Sequence, residues 1–406
     1  MKAYERLLNY VKIYTTSDEE TGTVPSTSRQ FDLARLLVKE MKELGIADAR
    51  VDEKCYVYGS VPASAGCEKA PALGFLAHLD TAPDFCGENV HPLVHENYDG
   101  EDVPLGESGL TLSVRQFPHL KSLKGRTLIT TDGTTLLGAD DKAGIAAIMT
   151  AVQEIMAGDI PHGRICIGFT PDEEIGGGAE DLDLPLFGAK YAYTVDGGAE
   201  NEIEYENFNA AAAVFEIRGF NIHPGDSKDK MINAALLACR INAMLPEAET
   251  PRDTEGYEGF FHLTELSGTV EKARLSYIIR DHSFPHFEAR LEMLRHIEKI
   301  MNERWGEGCV TLTIREQYRN MKEKIEPCMH LIENAKAVIR SLDLEPAVLP
   351  VRGGTDGARL SYRGLPCPNL GTGGYAYHGP YEHITAEGLE KASRIILGLV
   401  RKYSEL

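Results

Sequence analysis

No apolar run in this chain approaches the roughly 18 residues that a membrane-spanning helix needs. The amino-terminal stretch MKAYERLLNYVKIYTTSDEE interrupts its apolar positions with charges, so it does not read as a secretion signal. C-x-x-C pairs are missing as well. The eight cysteines, at 55, 67, 86, 166, 239, 309, 328 and 367, fall partly in strand-like apolar runs such as RICIGF. They read as reduced, mostly buried thiols rather than a disulfide framework, and a cytoplasmic protein is the expectation. Basic residues are scarce: 42 Lys and Arg stand against 62 Asp and Glu, a formal charge of -20. Such a surface repels phosphate backbones and anionic lipid, which argues against nucleic acid and membranes as partners. There is no low-complexity tract and no short internal repeat.

At 406 residues the chain exceeds one ordinary core, so two domains are expected. Its first 200 or so residues alternate helical and strand-like periodicities. SRQFDLARLLVKEMKELGI predicts a helix stopped by Gly45, and Ile145, Ile148, Met149, Val152, Ile155 and Met156 recur at the spacing of a buried helical face. With RICIGFT before a Gly-rich loop and KYAYTVDGG after it, the pattern predicts βαβ units and a mainly parallel sheet. From about Phe208 the order changes to strand, helix, two strands, a helix from Pro285 to Arg304, and a strand, the β-α-β-β-α-β order of a ferredoxin-like domain. The expectation is an α/β catalytic domain in two parts, 1–208 and 319–406, with a second domain inserted at 209–318. A last helix is expected after Thr385, whose hydroxyl suits an N-cap.

Acids and imidazoles close the apolar runs: His78 after ALGFLA, Asp140 after LLGA, Glu173 and Glu174 after ICIGFTPD, Asp196 after YAYTV, and His378 within GGYAYHGPYEH. The carboxyl ends of parallel strands form the crevice where α/β sheets hold ligands. A di-metal site is therefore the leading reading. Two divalent ions ~3.5–4 Å apart need a bridging carboxylate and further His or carboxylate ligands. That donor set favours zinc, with cobalt or manganese as substitutes. In AHLD an extended backbone would set Asp80 beside His78 to accept its second ring N–H. Of the adjacent Glu173 and Glu174, one can bind metal while the other serves as general base. Taken singly, each has a plainer reading: an acid pair is commonly a solvated loop, Asp196 before Gly-Gly a turn residue, and TDGTT at 131 a hairpin turn.

The segments AHLDTAPD, LLGADDKAGIAAIM, FTPDEEIGGGAEDLD, YTVDGG, NIHPG, VRGGTDGA and GLPCPNLGTGGYAYHGPYEH, in this order, resemble the peptidase T family of tripeptide aminopeptidases. That family lies within the co-catalytic zinc metallopeptidase clan that includes aminoacylase and succinyl-diaminopimelate desuccinylase. The resemblance runs over essentially the whole chain. It implies two zinc ions per subunit, bridged by Asp140, with His78 and Asp196 completing one and Glu174 and His378 the other. It also implies Asp80 as the partner of His78 and Glu173 as the general base. The inserted domain would be of the lid or dimerisation type, through which a homodimer would form. Its His223 would approach the scissile carbonyl, and Arg280 and Arg352 are the candidates for binding a terminal carboxylate. Acidic Asp226 and Asp229 after His223 depart from the family pattern. The implied activity is release of the N-terminal residue from tripeptides. A dipeptidase or N-acyl-amino-acid deacylase would use the same zinc centre, and a two-metal phosphoesterase would need basic residues that this acidic chain largely lacks.

Overall fold

The apolar runs LGFLAH and ICIGFT form the strands Leu73–His78 and Ile165–Thr170, buried at every position, as strands covered on both faces must be. They pair in parallel from Leu73 with Ile165 to His78 with Thr170. Strand Tyr191–Gly197 lies parallel on the other side of Leu73–His78, and Asn369–Gly371 lies parallel beyond it. His78, Thr170 and Asp196 therefore reach the same edge of the sheet.

This computed structural model describes residues 1–405. It divides into two units: Met1–Tyr205 with Glu323–Leu349 and Thr355–Leu406, and Glu206–Lys322 with Pro350–Gly354. The first unit holds the eight-stranded sheet. Its parallel part is confined to the centre. Val57–Val61 joins Ile165–Thr170 antiparallel, and Glu202–Asn207 joins Asn369–Gly371 antiparallel, so the sheet is mixed. The antiparallel partners lie far apart in sequence, so their direction follows from the path of the chain and not from hairpin turns.

Helix Ala139–Ala157 packs on the central strands, with Ile145, Ile148, Met149, Val152 and Ile155 buried. Met156, read from periodicity as part of that face, is instead 39 % exposed in the last turn. Helix Ala386–Ser404 begins at Thr385, whose Oγ1 accepts the Gly388 N–H at 3.1 Å. A second, antiparallel sheet that periodicity did not reveal has the order Gly374–Tyr375, His383–Thr385, Leu128–Thr130, Leu93–His95. Its strands are only two or three residues long, too short to carry a period.

The second unit runs strand Asn209–Arg218, helix Ala234–Asn242, strands Phe260–Gly268 and Lys272–Asp281, helix Phe284–Trp305, strand Val310–Tyr318. The sheet order is Phe260–Gly268, Lys272–Asp281, Asn209–Arg218, Val310–Tyr318, antiparallel throughout. This is the ferredoxin-like arrangement. Ala211, Ala213, Phe215 and Ile217 alternate inward against Leu237, Ile241, Phe287, Leu291 and Leu294. Residues 350–354 return to this unit because the Arg352 guanidinium lies over the rings of Phe208 and Phe260, at 5.1 and 5.6 Å. It also donates to the carbonyls of Gly256 and Glu258, both at 2.9 Å. No helix among the described residues is long and apolar enough to cross a membrane.

Candidate metal centre

Five separate segments of the first unit bring the acids and imidazoles together. His78 ends its strand, and Asp196 lies one residue before the end of Tyr191–Gly197. Asp140 follows Gly138, which takes a left-handed φ of 76°, and keeps an extended ψ of 104° before the regular helix begins. Glu173 and Glu174 follow Asp172, left-handed at φ 58°, and His378 is itself left-handed at φ 63°. A non-glycine residue in that region costs ~1–2 kcal/mol. Such strain persists where the surroundings fix it, and it gathers at functional sites.

The Asp140 carboxylate faces two ways. Its Oδ1 lies 2.9 Å from His78 Nε2, which is also 3.5 Å from Asp196 Oδ1. Its Oδ2 lies 3.3 Å from His378 Nε2, which is 3.0 Å from Glu174 Oε2. His78, Asp140 and Glu174 bring ligand atoms within 4.8 Å of one another, and so do His78, Asp141 and Asp196. Asp141 is already engaged, since it accepts the backbone N–H of His78 at 3.2 Å and of Gly144 at 3.1 Å. It anchors the start of the helix to the end of the strand.

The electrostatics are those of acids crowded out of water. Burial, then the charge of Asp196, pushes Glu173 well above the usual carboxylate range. Burial and Asp140 push Glu174 up to about 8, and burial pushes Asp196 to about 7. Hydrogen bonds to Asp140 and Glu174 raise His378 to about 11. Burial opposes ionisation of Asp140, but its hydrogen bonds with His378 and His78 outweigh burial and hold it low. Glu174 Oε1 is buried and has no hydrogen-bond partner. Clustered carboxylates, a bare buried carboxylate oxygen and two imidazoles fit divalent cations, which supply the missing positive charge.

Asp80 stands beside His78 and does more than the sequence expectation gave it. The strand ends at His78 and the chain bends at Leu79, so the backbone is no longer extended. The ring Nδ1 of His78 meets the backbone carbonyl of Asp80 at 2.9 Å, while the carboxylate stands off at 3.4 Å. That carboxylate also accepts the N–H groups of Glu173 at 3.0 Å and Glu174 at 3.2 Å. One short turn thus fixes both the imidazole and the glutamate pair.

Glu382 was missed by sequence reasoning. It is 1 % exposed, and its carboxylate accepts the N–H groups of Leu137, Gly138 and Asp140 at 2.7, 2.8 and 3.0 Å. The available signal was an acid set beside His383 in the segment YEHIT. Glu382→Gln turns an amide donor toward those N–H groups. It should weaken metal affinity ~10–100-fold without unfolding the chain, as loss of a ligand-orienting partner does. Zinc titration against a competing chelator checks this; an unchanged affinity would show that Glu382 serves the loop alone.

His223, Arg280 and Arg352 belong to the second unit. His223 caps a short 3-10 turn, its Nδ1 accepting the Gly225 N–H at 3.1 Å. Arg280 lies over the Tyr318 ring at 5.2 Å and donates to the carbonyls of Ala211 at 3.3 Å and Ile279 at 3.0 Å. Arg352 directs its donors at the segment 254–258, adding Thr254 Oγ1 at 2.9 Å to its carbonyl partners.

Residues 136–402 match the profile of peptidase family M20/M25/M40. Over 404 residues the chain is 50% identical to a protein named peptidase T from Alkaliphilus oremlandii, covering 99% of each. Over 403 residues it is 53% identical to one of the same name from Desulfitobacterium hafniense, covering 99% of this chain and 98% of that protein. A crystal structure of a tripeptidase from Staphylococcus aureus superposes with a TM-score of 0.80 at 20% identity, covering 100% of this chain and 98% of the other.

Proposed function

This chain belongs to peptidase family M20/M25/M40, and from that premise we propose that it is a di-zinc aminopeptidase that removes the N-terminal residue from tripeptides. The observation that carries the reading is the two-sided Asp140 carboxylate, with His78 on one oxygen and His378 on the other, Asp196 facing the same His78 nitrogen and Glu174 the same His378 nitrogen. Those five side chains would hold the ions, Asp140 bridging. The substrate class is the one named for the solved tripeptidase whose fold this chain shares, and the one that the resemblance of its sequence segments implies.

When bound, a pair of zinc ions supplies Lewis acidity toward the peptide carbonyl and lowers the pKa of water. The chain's own residues do the rest. Glu173 stands beside both donor groups without belonging to either, and its carboxylate takes the proton of the attacking water and passes it to the departing amine. Asp80 holds the Glu173 backbone N–H and so fixes where that carboxylate can reach. The surplus of acids suits a substrate whose N-terminus is a cation.

Amino-acid release from di-, tri- and tetrapeptides and from N-acyl amino acids, before and after chelation, tests the reading. Tripeptides should be preferred, chelation should abolish turnover, and zinc should restore it. Preference for acylated amino acids, or full activity in metal-free protein, would overturn it. Arg280 and Arg352 remain the candidates for the terminal carboxylate. Loss of a buried charge-assisted contact predicts a ~10²-fold drop in kcat/KM on tripeptides, with little change on tripeptide amides, for Ala in place of the residue that binds it. Arg352→Ala should also lower the Tm, because it strips the carbonyls of segment 254–258 of their donor. Equal losses on acids and amides for both variants would remove the arginines from substrate recognition.

A further inference from the structure

The turn that presents the glutamate pair is gripped from the amino-terminal segment. Asp172, 2 % exposed and left-handed at φ 58°, directly precedes Glu173. Its carboxylate accepts the Ser26 N–H at 2.7 Å, the Ser26 hydroxyl at 2.5 Å and the Gln30 Nε2–H at 2.6 Å. Gln30 Oε1 accepts the Asp172 N–H at 3.2 Å in return. The Asp172 carbonyl takes the N–H groups of Gly177 at 2.8 Å and Gly178 at 2.9 Å, which folds the glutamate loop back on itself. Ser26 and Gln30 are both buried.

The same segment also holds the other turn of the site. Thr16 and Thr81 share a hydroxyl hydrogen bond of 2.9 Å, the Ser17 N–H reaches the Thr81 carbonyl at 3.2 Å, and the Thr27 hydroxyl closes on the Thr16 carbonyl at 2.9 Å. Residues 16–30 thus touch the residue beyond Asp80 at one end and the residue before Glu173 at the other. A left-handed turn alone asks only for Gly or Asn, which adopt it at least cost. A buried carboxylate meeting three donors is a stronger and more directional tether.

We infer that Asp172, clasped by Ser26 and Gln30, is a positioning residue that sets the direction of the Glu173 carboxylate. The inference rests on the reading of Glu173 as general base. A base displaced by about 1 Å costs ~10²-fold in rate.

The test uses the full-length, zinc-reconstituted chain with Asp172→Asn, Gln30→Glu, both together, and Ser26→Ala, beside Glu173→Gln as reference. Asp172→Asn should lower kcat ~10²-fold with KM and bound zinc unchanged. In the metal-free protein, amide exchange should quicken in residues 171–178 but not in strand Ile165–Thr170. Gln30→Glu sets two carboxylates together and should also slow turnover. The double variant lets the introduced amide donate to the introduced carboxylate, and should recover most of the lost rate. If Asp172→Asn does not fold, Ser26→Ala, which keeps the backbone contact, should still lower kcat ~10-fold, as loss of about one hydrogen bond does.

Wild-type kcat in Asp172→Asn or, failing that, in Ser26→Ala, or no recovery in the double variant, would overturn the inference. So would a fall in kcat that merely tracks lost zinc. Near wild-type rate in Glu173→Gln would instead overturn the assignment of the base.

Discussion

Glu173→Gln should keep its metal ions and lose turnover by ~10²–10⁴-fold, the usual cost of removing a general base. The amide preserves the shape of the side chain and leaves the Asp80 contact to the Glu173 N–H intact, so the loop has no cause to move. What disappears is the ability to accept a proton. Glu173 is singled out because Glu174, its neighbour, already faces His378 at 3.0 Å, whereas Glu173 makes no such pairing and lies in the field of Asp196. Glu174→Gln should accordingly do something different, weakening metal binding before it affects the chemistry. Metal analysis beside steady-state kinetics separates the two, and a Glu173→Gln enzyme with near wild-type kcat would move the base elsewhere.

The sequence reveals the residues of this site better than it reveals their supports. His78, Asp140, Glu174 and Asp196 are legible because polar groups closing apolar runs are costly unless they are used together, and strand ends have few other places to go. The ferredoxin-like order is legible because its strands are nine or ten residues long, and Lys272–Asp281 and the outer half of Asn209–Arg218 alternate clearly. Glu382 and the grip of Asp80 on the glutamate turn were missed because both act on backbone N–H groups, and a backbone donor leaves no residue type to recognise. Asp172 was missed because its side-chain donors, Ser26 and Gln30, lie far away in the sequence. TDGTT failed similarly. It reads as a hairpin turn, yet Thr131 Oγ1 bonds the Thr135 carbonyl at 2.9 Å and the chain then leads into the Gly138–Asp140 corner, with no paired strand on its far side. Return of residues 350–354 to the second unit rests on Arg352 over two rings and on the Val351 carbonyl against the His282 ring, contacts with no period at all.

Asp140→Asn should be the most damaging substitution in the metal centre. The Asp140 carboxylate offers one oxygen to His78, whose ring nitrogen also faces Asp196, and the other to His378, whose ring nitrogen also faces Glu174. An amide offers one oxygen and, opposite it, a donor that no cation accepts. Whichever way the side chain turns, one ion loses its shared ligand and meets N–H dipoles in its place. Asp196→Asn, by contrast, removes charge on one side alone and leaves the bridge in place. Bound zinc should therefore fall to one ion or fewer per chain in Asp140→Asn. Loss of one cation's stabilisation of the reacting carbonyl, several kcal/mol, should lower kcat/KM by ~10³-fold or more. A second readout does not depend on catalysis: ligands that bind only the folded state raise its stability with concentration, so zinc should raise the Tm of the wild-type chain markedly and that of Asp140→Asn little. Two ions per chain and an undiminished zinc-dependent Tm in Asp140→Asn would show that the two donor groups bind independently, and that no carboxylate bridge is needed between them.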